Sequence, residues 1–384
     1  MTYFDLSYEP KRNDLIAEFK LNPNTKDIGK KIALESSTGT WTDVKKPKRI
    51  EKLDGTVFFK NKNIIKVAYD LKVFEKGSVP QLMSSIGGNI FGMKALDSLR
   101  LEDIRFPTSY LKSFKGPKYG LEDIRELIGV KKRPLVGTIV KPKVGLTTKQ
   151  HAKTAYKCWI NGLDLVKCDE NLTSQKFNKF EDNIKETLKL KKKAEKETGE
   201  KKIYVSNVTG ETKEMIKRAK MVKNEGGNCV MVDIITTGWG ALQSLRNEDL
   251  DLIIHAHRAG HAMMTRGIFG MSMLTIAKLS RLIGVSQLHT GTANVGKMHS
   301  GKEETQKINK FLTSKWQKIK KTFPIASGGL HAGSVSKLVE KLGRNIIIQA
   351  GGGVHSLGPA AGSKSMRQAV EAIMKNTSLK EYSI

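Results

Sequence analysis

From residue 121 to the end of the chain, short runs of apolar and β-branched residues alternate with charged segments of helical periodicity. These runs are too apolar for strands with one face in water, so both faces of each strand should be covered, as in parallel sheets with helical crossovers. There are eight such runs: VGTIV (136–140), LDLVK (163–167), IYVSNV (203–208), CVMVDI (229–234), LDLIIHAH (250–257), SQLHTG (286–291), PIASGG (324–329) and NIIIQAGGG (345–353). Eight successive strand–helix units predict an α/β fold with a closed (β/α)8 TIM barrel at 121–384, and favour it over an open doubly wound sheet.

Residues 1–120 follow a different order of elements. Extended runs at 15–23 and 99–107 enclose a helix near 24–34, a hairpin at 56–74 that turns at NKN, and a second helix. The order strand, helix, two strands, helix, strand is that of the split βαβ motif. We therefore predict a small N-terminal α+β (ferredoxin-like) domain ahead of the barrel.

The chain carries a formal net charge of +29. Dense lysine is a feature of nucleic-acid-binding proteins, whose affinity comes largely from displacing counterions on phosphates. The lysine-rich stretch 188–202, however, has the pattern of an exposed helix end, with few aromatic side chains for base stacking. We therefore expect no nucleic-acid partner, and we expect the positive field to attract small anions.

No apolar run approaches the roughly 18 residues of a membrane span, so we expect no membrane association. The start of the chain, MTYFDLSYEP, has the pattern of neither a secretory signal nor a transit peptide, which predicts a cytoplasmic protein. Cys158, Cys168 and Cys229 are isolated, without CxxC spacing. They indicate free thiols rather than a disulfide framework or a zinc site.

Polar residues and glycines follow most of the predicted barrel strands at their carboxyl ends. In such a barrel, these ends and the loops after them meet at one rim, where active sites lie. Each residue alone is more often a solvent contact, a core residue or a turn, but their convergence on one rim indicates a catalytic site. The residues are Lys141, Lys143, Lys167, Asp169, Glu170, His255, His257, Arg258, His261, His289, Ser327, Gly328, Gly329, Gly351, Gly352 and Gly353.

Two glycine clusters on this rim suit phosphate binding. The glycines at 328–329 and 351–353 each follow a predicted strand and precede a helix, where backbone N–H groups can hold an anion. Arg258 and His289, on other strands, can bind a second phosphate through charge-assisted hydrogen bonds. Two anion sites on one rim predict a bisphosphate substrate.

The stretch VKCDEN (166–171) places a lysine beside two carboxylates at the end of the second run. Along a strand, Lys167 and Asp169 point to the same side, Cys168 points away, and Glu170 can turn inward where the strand ends. A lysine ammonium would repel a metal ion, whereas carbamylation by CO2 would convert it into an anionic oxygen ligand. Three such oxygens would leave about three of the six positions of magnesium open for water or substrate.

Eight motifs stand in order along the chain. They are ESSTGTW (35–41), GGNIFGMKAL (87–96), KPKVGL (141–146), GLDLVKCDEN (162–171), HAHRAGHA (255–262), LHTGTANVGKM (288–298), ASGGLHAG (326–333) and QAGGG (349–353). Together they resemble the large subunit of the ribulose-1,5-bisphosphate carboxylase/oxygenase (RuBisCO) family and are most similar to its archaeal form III. The resemblance extends from about Ala33 to Met374. Eight ordered motifs are far more specific than any one of them.

The resemblance implies a role for each rim residue. Lys167 is the lysine that an activating CO2 carbamylates, and with Asp169 and Glu170 it holds magnesium. Lys141 is implied to be the general acid/base around enolisation and final protonation, with Lys143 supporting it.

Further positions are implied to act on the substrate or on the loop over it. His257 has a proton-transfer role, and Lys297 lies on a loop that closes over the substrate and stabilises the incoming carboxylate. Substrate-binding positions are Arg258, His289, Ser327, Gly328, Gly329, Gly351 and Gly352, together with Glu35, Thr40, Trp41 and Asn89, which in the family reach into the active site of the partner subunit. The resemblance therefore implies a homodimer with shared active sites, open to assembly into a higher oligomer, without a small subunit.

The implied reaction adds CO2 to the enediolate of ribulose 1,5-bisphosphate and yields two molecules of 3-phosphoglycerate, with O2 as a competing substrate. Resemblance to form III implies that the substrate comes from nucleotide (AMP) salvage. The alternative is a RuBisCO-like enolase or isomerase that does not fix CO2, although such proteins usually lose some of the phosphate and loop residues present here. A metal hydrolase is disfavoured because its HxH pair belongs on the first strand, and a basic RNA-binding protein is the non-enzymatic alternative.

Overall fold

The structure of the protein, a computed structural model, describes residues 3–23, 27–40, 45–298 and 300–382. Trp41 therefore lies outside the described residues. The chain divides into two compact units. One comprises Met1–Lys115, Gly260–Ile283 and Gln317–Ile319, and the other comprises Gly116–Ala259, Gly284–Trp316 and Lys320–Ile384.

Thirteen strands form within the described residues. They are β1 (Asp14–Pro23), β2 (Thr56–Asn61), β3 (Ile64–Asp70), β4 (Leu96–Arg105), β5 (Leu135–Ile139), β6 (Leu165–Lys167), β7 (Ile203–Asn207), β8 (Cys229–Asp233), β9 (Ile253–His257), β10 (Phe269–Met271), β11 (Gln287–His289), β12 (Phe323–Ser327) and β13 (Ile347–Gln349).

Sixteen α-helices accompany these strands in the same part of the chain. They are α1 (Ile28–Glu35), α2 (Lys48–Glu51), α3 (Val79–Ile86), α4 (Thr108–Leu111), α5 (Leu121–Leu127), α6 (Thr148–Ile160), α7 (Phe180–Thr198), α8 (Thr212–Asn224), α9 (Ile234–Asn247), α10 (His261–Thr265), α11 (Met273–Ile283), α12 (Lys302–Thr313), α13 (Val335–Leu342), α14 (Gly352–His355), α15 (Pro359–Met374) and α16 (Leu379–Tyr382). No helix in the described ranges combines the length and the apolarity that a membrane span requires.

Local signals in the sequence set where the long helices begin and end. α6 starts at a capping box, in which the side chains of Thr147 and Gln150 each accept a hydrogen bond from the backbone N–H of the other. α7 ends at Gly199, whose φ of 68° lies in the left-handed region that glycine adopts without strain. The capping box thus sets the start of α6, and Gly199 sets the end of α7.

The first unit contains a five-stranded sheet in the order β10-β4-β1-β3-β2. β1 pairs antiparallel with β3 and β4, and β2 pairs antiparallel with β3, which is the arrangement of the split βαβ motif. The predicted N-terminal α+β fold is thus confirmed. The sheet also has an edge strand that was not predicted, because β10, from the crossover between two barrel strands, pairs with β4 in parallel.

The second unit contains a closed barrel of eight strands in the order β5-β6-β7-β8-β9-β11-β12-β13, and β13 pairs with β5 to close it. Every neighbouring pair is parallel. Each of the eight apolar runs forms one strand, so the predicted barrel is confirmed. The pairing of the first and last strands rules out the open doubly wound sheet.

The amino-terminal end of the barrel is closed by α5. Leu121 and Ile124 of this helix, with Ile128 directly after it, pack against strand residues in one buried cluster. Arg125, on the same helix, donates hydrogen bonds to backbone carbonyl groups, and its guanidinium lies 5.0 Å from the ring centre of Phe323. An apolar cluster beneath α5 thus fills the barrel interior at this end.

Candidate active site

The carboxyl ends of the barrel strands bring polar side chains to one rim. Lys167, His257, His289 and Ser327 are each the last residue of a strand, and Lys141 lies just beyond β5. Because the strands are parallel and form a closed barrel, their carboxyl ends meet at the same rim. The structure therefore gathers these five residues in one place.

Lys167 is fully buried among polar groups at the end of β6. Its Nζ donates to the carbonyl oxygen of Cys168 at 2.7 Å and lies 3.1 Å from Oε2 of Glu170. Asp169, equally buried, accepts a hydrogen bond from Nζ of Lys141 at 2.5 Å. The cluster thus contains two pairs of opposite charge, Lys141 with Asp169 and Lys167 with Glu170.

Cys168 lies in sequence between Lys167 and the two carboxylates, and its side chain points away from them. Sγ of Cys168 lies 2.8 Å from the hydroxyl of Tyr204, on the outer side of the neighbouring strand β7. This is the strand alternation expected from the sequence. Cys158, Cys168 and Cys229 are all free and buried.

Glu170 is held as a carboxylate. Burial alone would raise the pKa of its side chain, but the charges of Lys167 and His257 outweigh burial and lower that pKa to about 2. In the described residues, no group of three or more His, Cys, Asp or Glu side chains is spaced to hold a metal ion. The donor set at this rim instead combines two carboxylates with a lysine nitrogen, and it suits magnesium once the lysine carries a carbamate oxygen.

Three histidines line the rim next to this cluster. Nε2 of His255 lies 2.9 Å from Nε2 of His289, while their Nδ1 atoms contact Gln287 (2.8 Å) and Ser327 (2.7 Å) respectively. Burial, together with nearby positive charge, lowers the pKa of both imidazoles well below the usual range. His255 and His289 are therefore neutral at pH 7 and act as hydrogen-bonding groups rather than as cations.

His257 connects the histidines to the carboxylates. Its Nδ1 lies 2.6 Å from Oδ1 of Asp233, the last residue of β8, and its Nε2 lies 3.7 Å from Oε2 of Glu170. The Asp233 carboxylate orients the ring, so that Nε2 faces the polar cluster. This is the arrangement by which a carboxylate fixes the tautomer of a proton-transferring histidine.

The loop that carries Lys297 lies against the glycine turn after β12. The backbone N–H of Lys297 donates to the carbonyl oxygen of Gly328 at 3.1 Å. A Cβ atom at Gly296 would lie 2.1 Å from that same oxygen, and one at Gly329, where φ is 72°, would lie 2.8 Å from the Lys297 nitrogen. Neither glycine position can take a side chain while the loop and the turn are in contact.

The other predicted glycines lie at the end of β13. Gly351 packs against the side chain of Lys141, since a Cβ there would lie 3.2 Å from Cε of that lysine. Gly352 begins the short helix α14. Lys143 is exposed on the loop between β5 and α6, so the structure places it at the rim without burying it in the cluster.

Arg258 directly follows β9. Burial lowers the pKa of its guanidinium to about 10, and the charge of Glu304 opposes that shift. The side chain therefore remains a cation at neutral pH. It lies beside Gly291, where a Cβ would be 3.2 Å from one guanidinium nitrogen.

Comparison with protein families identifies the architecture around this rim. The family described as "Ribulose bisphosphate carboxylase large chain, catalytic domain" matches residues 120–384, and "Ribulose bisphosphate carboxylase large chain, N-terminal domain" matches residues 2–110. This chain belongs to the RuBisCO large-chain family. The resemblance inferred from the motifs is thus confirmed over both domains.

Several archaeal proteins are similar to this chain. The ribulose bisphosphate carboxylase of Pyrococcus furiosus is 49% identical, with 99% of this chain and 94% of the relative covered. That of Methanocaldococcus jannaschii is 48% identical, with 99% and 96% covered. Among solved structures, an octameric RuBisCO from Pyrococcus horikoshii matches at 48% identity with a TM-score of 0.95, covering 99% of this chain and 93% of that one. A dimeric RuBisCO from Hyperthermus butylicus matches at 43% identity with a TM-score of 0.92, covering 99% and 95%.

Two of the RuBisCO residues expected in the N-terminal domain are neighbours within the first unit. Nδ2 of Asn89 lies 3.4 Å from Oε1 of Glu35, the last residue of α1. Thr40 is exposed shortly after α1, and Trp41 is outside the described residues. Their action on a partner subunit remains a prediction.

Sequence reasoning missed two residues of this RuBisCO rim, Asn207 and Asp233. Each is the last residue of a barrel strand, as are Lys167 and His257. Position at the strand end was therefore a signal available in the sequence. It was too weak to use alone, because neither residue stands in one of the motifs that carried the resemblance.

Proposed function

We propose that this protein is a magnesium-dependent ribulose-1,5-bisphosphate carboxylase/oxygenase. It adds CO2 to the enediolate of ribulose 1,5-bisphosphate and yields two molecules of 3-phosphoglycerate. Membership of the family supports the proposal, and one observation carries it. A fully buried lysine, Lys167, pairs with the Glu170 carboxylate at the barrel rim, and beside it in sequence Asp169 pairs with a second lysine, Lys141. The oriented histidine His257 also faces Glu170.

We assign the magnesium site to the carbamate of Lys167, Asp169 and Glu170. The activating CO2 forms a bond between its carbon and the neutral Nζ of Lys167, which gives a carbamate anion and releases a proton. Magnesium, when bound, supplies stabilisation of the negative charge that develops on substrate oxygens.

Two residues are placed to move protons. Lys141 Nζ, paired with Asp169, lies next to the ligand cluster and serves as general acid/base, with Lys143 supporting it from the loop beyond β5. His257 presents Nε2 towards the cluster because Asp233 holds its Nδ1. Lys297, on the loop above the glycine turn, stabilises the carboxylate formed from CO2.

We assign the two phosphates of the substrate to two different sets of groups on the rim. Backbone N–H groups around Gly328, Gly329, Gly351 and Gly352 bind one phosphate, where the lack of side chains lets an anion approach. Arg258, His289 and Ser327 bind the other. The neutral state of His289 means that Arg258 supplies the charge at that end and the other two side chains supply hydrogen bonds.

We further propose a homodimer with shared active sites, in which Glu35, Thr40, Trp41 and Asn89 complete the site of the other subunit. The octameric and dimeric relatives support assembly, and higher assembly of this chain stays open. No small subunit is needed on this proposal. The archaeal relatives support assignment to form III. From that resemblance alone we propose that the substrate derives from AMP salvage.

Incorporation of labelled CO2 tests the proposal. After preincubation with bicarbonate and magnesium, the wild type should convert ribulose 1,5-bisphosphate and labelled CO2 into acid-stable product, and Lys167→Met should abolish this incorporation. Lys191→Met is the matched control, because Lys191 is also a buried lysine but lies on α7 and pairs with Glu195.

The same assay separates the alternative. A wild type that exchanges the C3 proton of the substrate without fixing label would be a RuBisCO-like enolase or isomerase. A wild type that does neither would refute the carboxylase.

A further inference from the structure

We infer that Asn207 is a positioning residue. It holds the turn that carries the two carboxylate ligands and connects that turn, through the loop after β7, to Asp233, which orients His257. This inference rests on the proposed function, since it concerns how that site is kept in shape. Asn207 itself needs no contact with substrate. Asn207 is the last residue of β7, the strand next to β6, and it is 1% exposed.

The amide nitrogen of Asn207 contacts the backbone of the ligand turn. Nδ2 lies 3.2 Å from the carbonyl oxygen of Asp169, 3.1 Å from that of Glu170 and 3.0 Å from that of Leu172. An amide has two N–H bonds, so three backbone carbonyls share two donors. One side chain thus ties the backbone of the ligand turn to the neighbouring strand.

The turn needs this support because the sheet no longer holds it. β6 ends at Lys167, and the last ladder bond in this region runs from the N–H of Cys168 to the carbonyl of Val205. Beyond that bond the chain leaves the barrel wall while still carrying Asp169 and Glu170. Buried carbonyl groups at such a point require donors from elsewhere in the fold.

The amide oxygen of Asn207 contacts the loop after β7. Oδ1 accepts the backbone N–H of Thr209 at 3.0 Å, which fixes the loop after β7. The hydroxyl oxygen of Thr209 then accepts the backbone N–H of Asp233 at 3.0 Å, and Asp233 holds Nδ1 of His257 at 2.6 Å. A continuous chain of contacts therefore runs from the ligand turn to the proton-transferring histidine.

Only asparagine has the required groups at this length. Aspartate keeps the acceptor for Thr209 but replaces the donor with an oxygen that faces three carbonyl groups. Serine is too short to hold both partners. Groups that orient metal ligands in this way commonly change metal affinity or activity by about 10- to 100-fold when they are mutated.

The test compares carbamate formation in Asn207→Asp and wild type. With 13C-labelled CO2, NMR detects the carbamate carbon on Lys167 directly, without any turnover. Magnesium is titrated, and we expect the concentration for half-maximal carbamate signal to rise about tenfold or more in Asn207→Asp. The KM for the bisphosphate should change less than kcat, because the phosphate-binding residues lie on other strands.

Thr209 provides the test of the second contact. Thr209→Val removes the acceptor for Asp233 at nearly constant shape, and should lower kcat while leaving the magnesium requirement of the carbamate unchanged. Thr209→Ser keeps the hydroxyl and should restore wild-type kcat. Asn228→Asp is the matched control, because Nδ2 of Asn228 donates to a backbone carbonyl at the amino-terminal end of the barrel.

The outcomes separate the inference from the proposed function. A folded Asn207→Asp with the wild-type magnesium requirement overturns the inference. If Asn207→Asp does not fold, Asn207→Ser takes its place, and failure of both to fold makes Asn207 a general determinant of stability, which also overturns it. If the wild type itself forms no carbamate, the proposed activation of Lys167 fails, and the inference fails with it.

Discussion

At the scale of single residues, the proposed carbamylation would invert the charge of the lysine at the centre of the site. Lys167 in its ammonium form lies against Glu170, while Lys141 lies against Asp169. Carbamylation replaces one positive charge with one negative charge, a change of two units, which equals the charge of one magnesium ion. The total charge of this buried cluster is therefore the same before carbamylation and after magnesium has bound, so the protein never has to bury a large unbalanced charge. This is a physical reason for a lysine beside two carboxylates.

The contact between Asp233 and His257 leads to a prediction at this scale. Asp233→Asn keeps the shape of the side chain but removes the charge that favours a proton on Nδ1 of His257. We expect kcat to fall by about 100-fold or more, with little change in melting temperature. Steady-state kinetics and thermal unfolding measure the two quantities. Asp251→Asn, at an exposed surface pair with Lys223, serves as control. An unchanged kcat in Asp233→Asn would contradict the proposed role of His257 in proton transfer.

At the scale of elements, the two ends of the barrel strands have different roles. The carboxyl ends carry the chemistry, whereas the amino-terminal end holds an ion network between loops and α15. Arg367 of α15 lies 2.8 Å from Glu200, and Glu200 also pairs with the fully buried Lys202 at 2.7 Å. Burial alone would raise the pKa of Glu200, but Arg367 and Lys202 outweigh it and lower that pKa to about 2. This network connects the start of β7 to the last long helix.

The depressed pKa of Glu200 gives a pH prediction. Its ordinary value is 4.5 and its folded value is about 2, so the stabilisation is present above pH 4.5 and is lost as the pH falls through 2. Glu200→Gln should therefore melt below the wild type at pH 7, and the difference should shrink as the pH falls below 4.5. Thermal unfolding across this range measures it, and Glu340→Gln, at an exposed glutamate of α13, is the control. A difference that stays constant with pH would contradict the charged network.

At the scale of the whole molecule, the net charge of +29 is the dominant property. A bisphosphate substrate is strongly anionic, and a cationic protein raises its local concentration and its rate of encounter. This long-range effect is screened by salt, whereas contacts inside a buried site are screened much less. Charge of this size therefore acts on substrate capture rather than on the chemical step.

The resulting prediction concerns ionic strength. Between about 0.05 M and 0.5 M salt at constant magnesium, kcat/KM for ribulose 1,5-bisphosphate should fall several-fold while kcat changes little. Initial-rate measurements at each salt concentration test this. A kcat/KM that does not depend on salt would show that the surface lysines play no part in substrate capture. A gel-shift assay with RNA at physiological salt checks the expectation of no nucleic-acid partner.

Much of this organisation was readable from the sequence. The eight apolar runs predicted the eight barrel strands because parallel barrel strands are covered on both faces, which leaves a strong local signal. The position of Lys167, His257, His289 and Ser327 at one rim followed from the same pattern. β10 escaped prediction because it lies outside the eight apolar runs and forms by pairing with β4, which is distant in the chain. Asn207 and Asp233 escaped because their roles consist of contacts with other strands.

The sequence by itself determined the fold class, the order of the elements and the residues that stand at strand ends, because periodicity and strand alternation are local properties of the chain. Tertiary structure decided which of those residues meet. The triple contact of Asn207 with the ligand turn, the orientation of His257 by Asp233 and the neutral state of His255 and His289 all depend on side chains from different strands. Distances, burial and local charge set these properties, and they exist only once the barrel has closed.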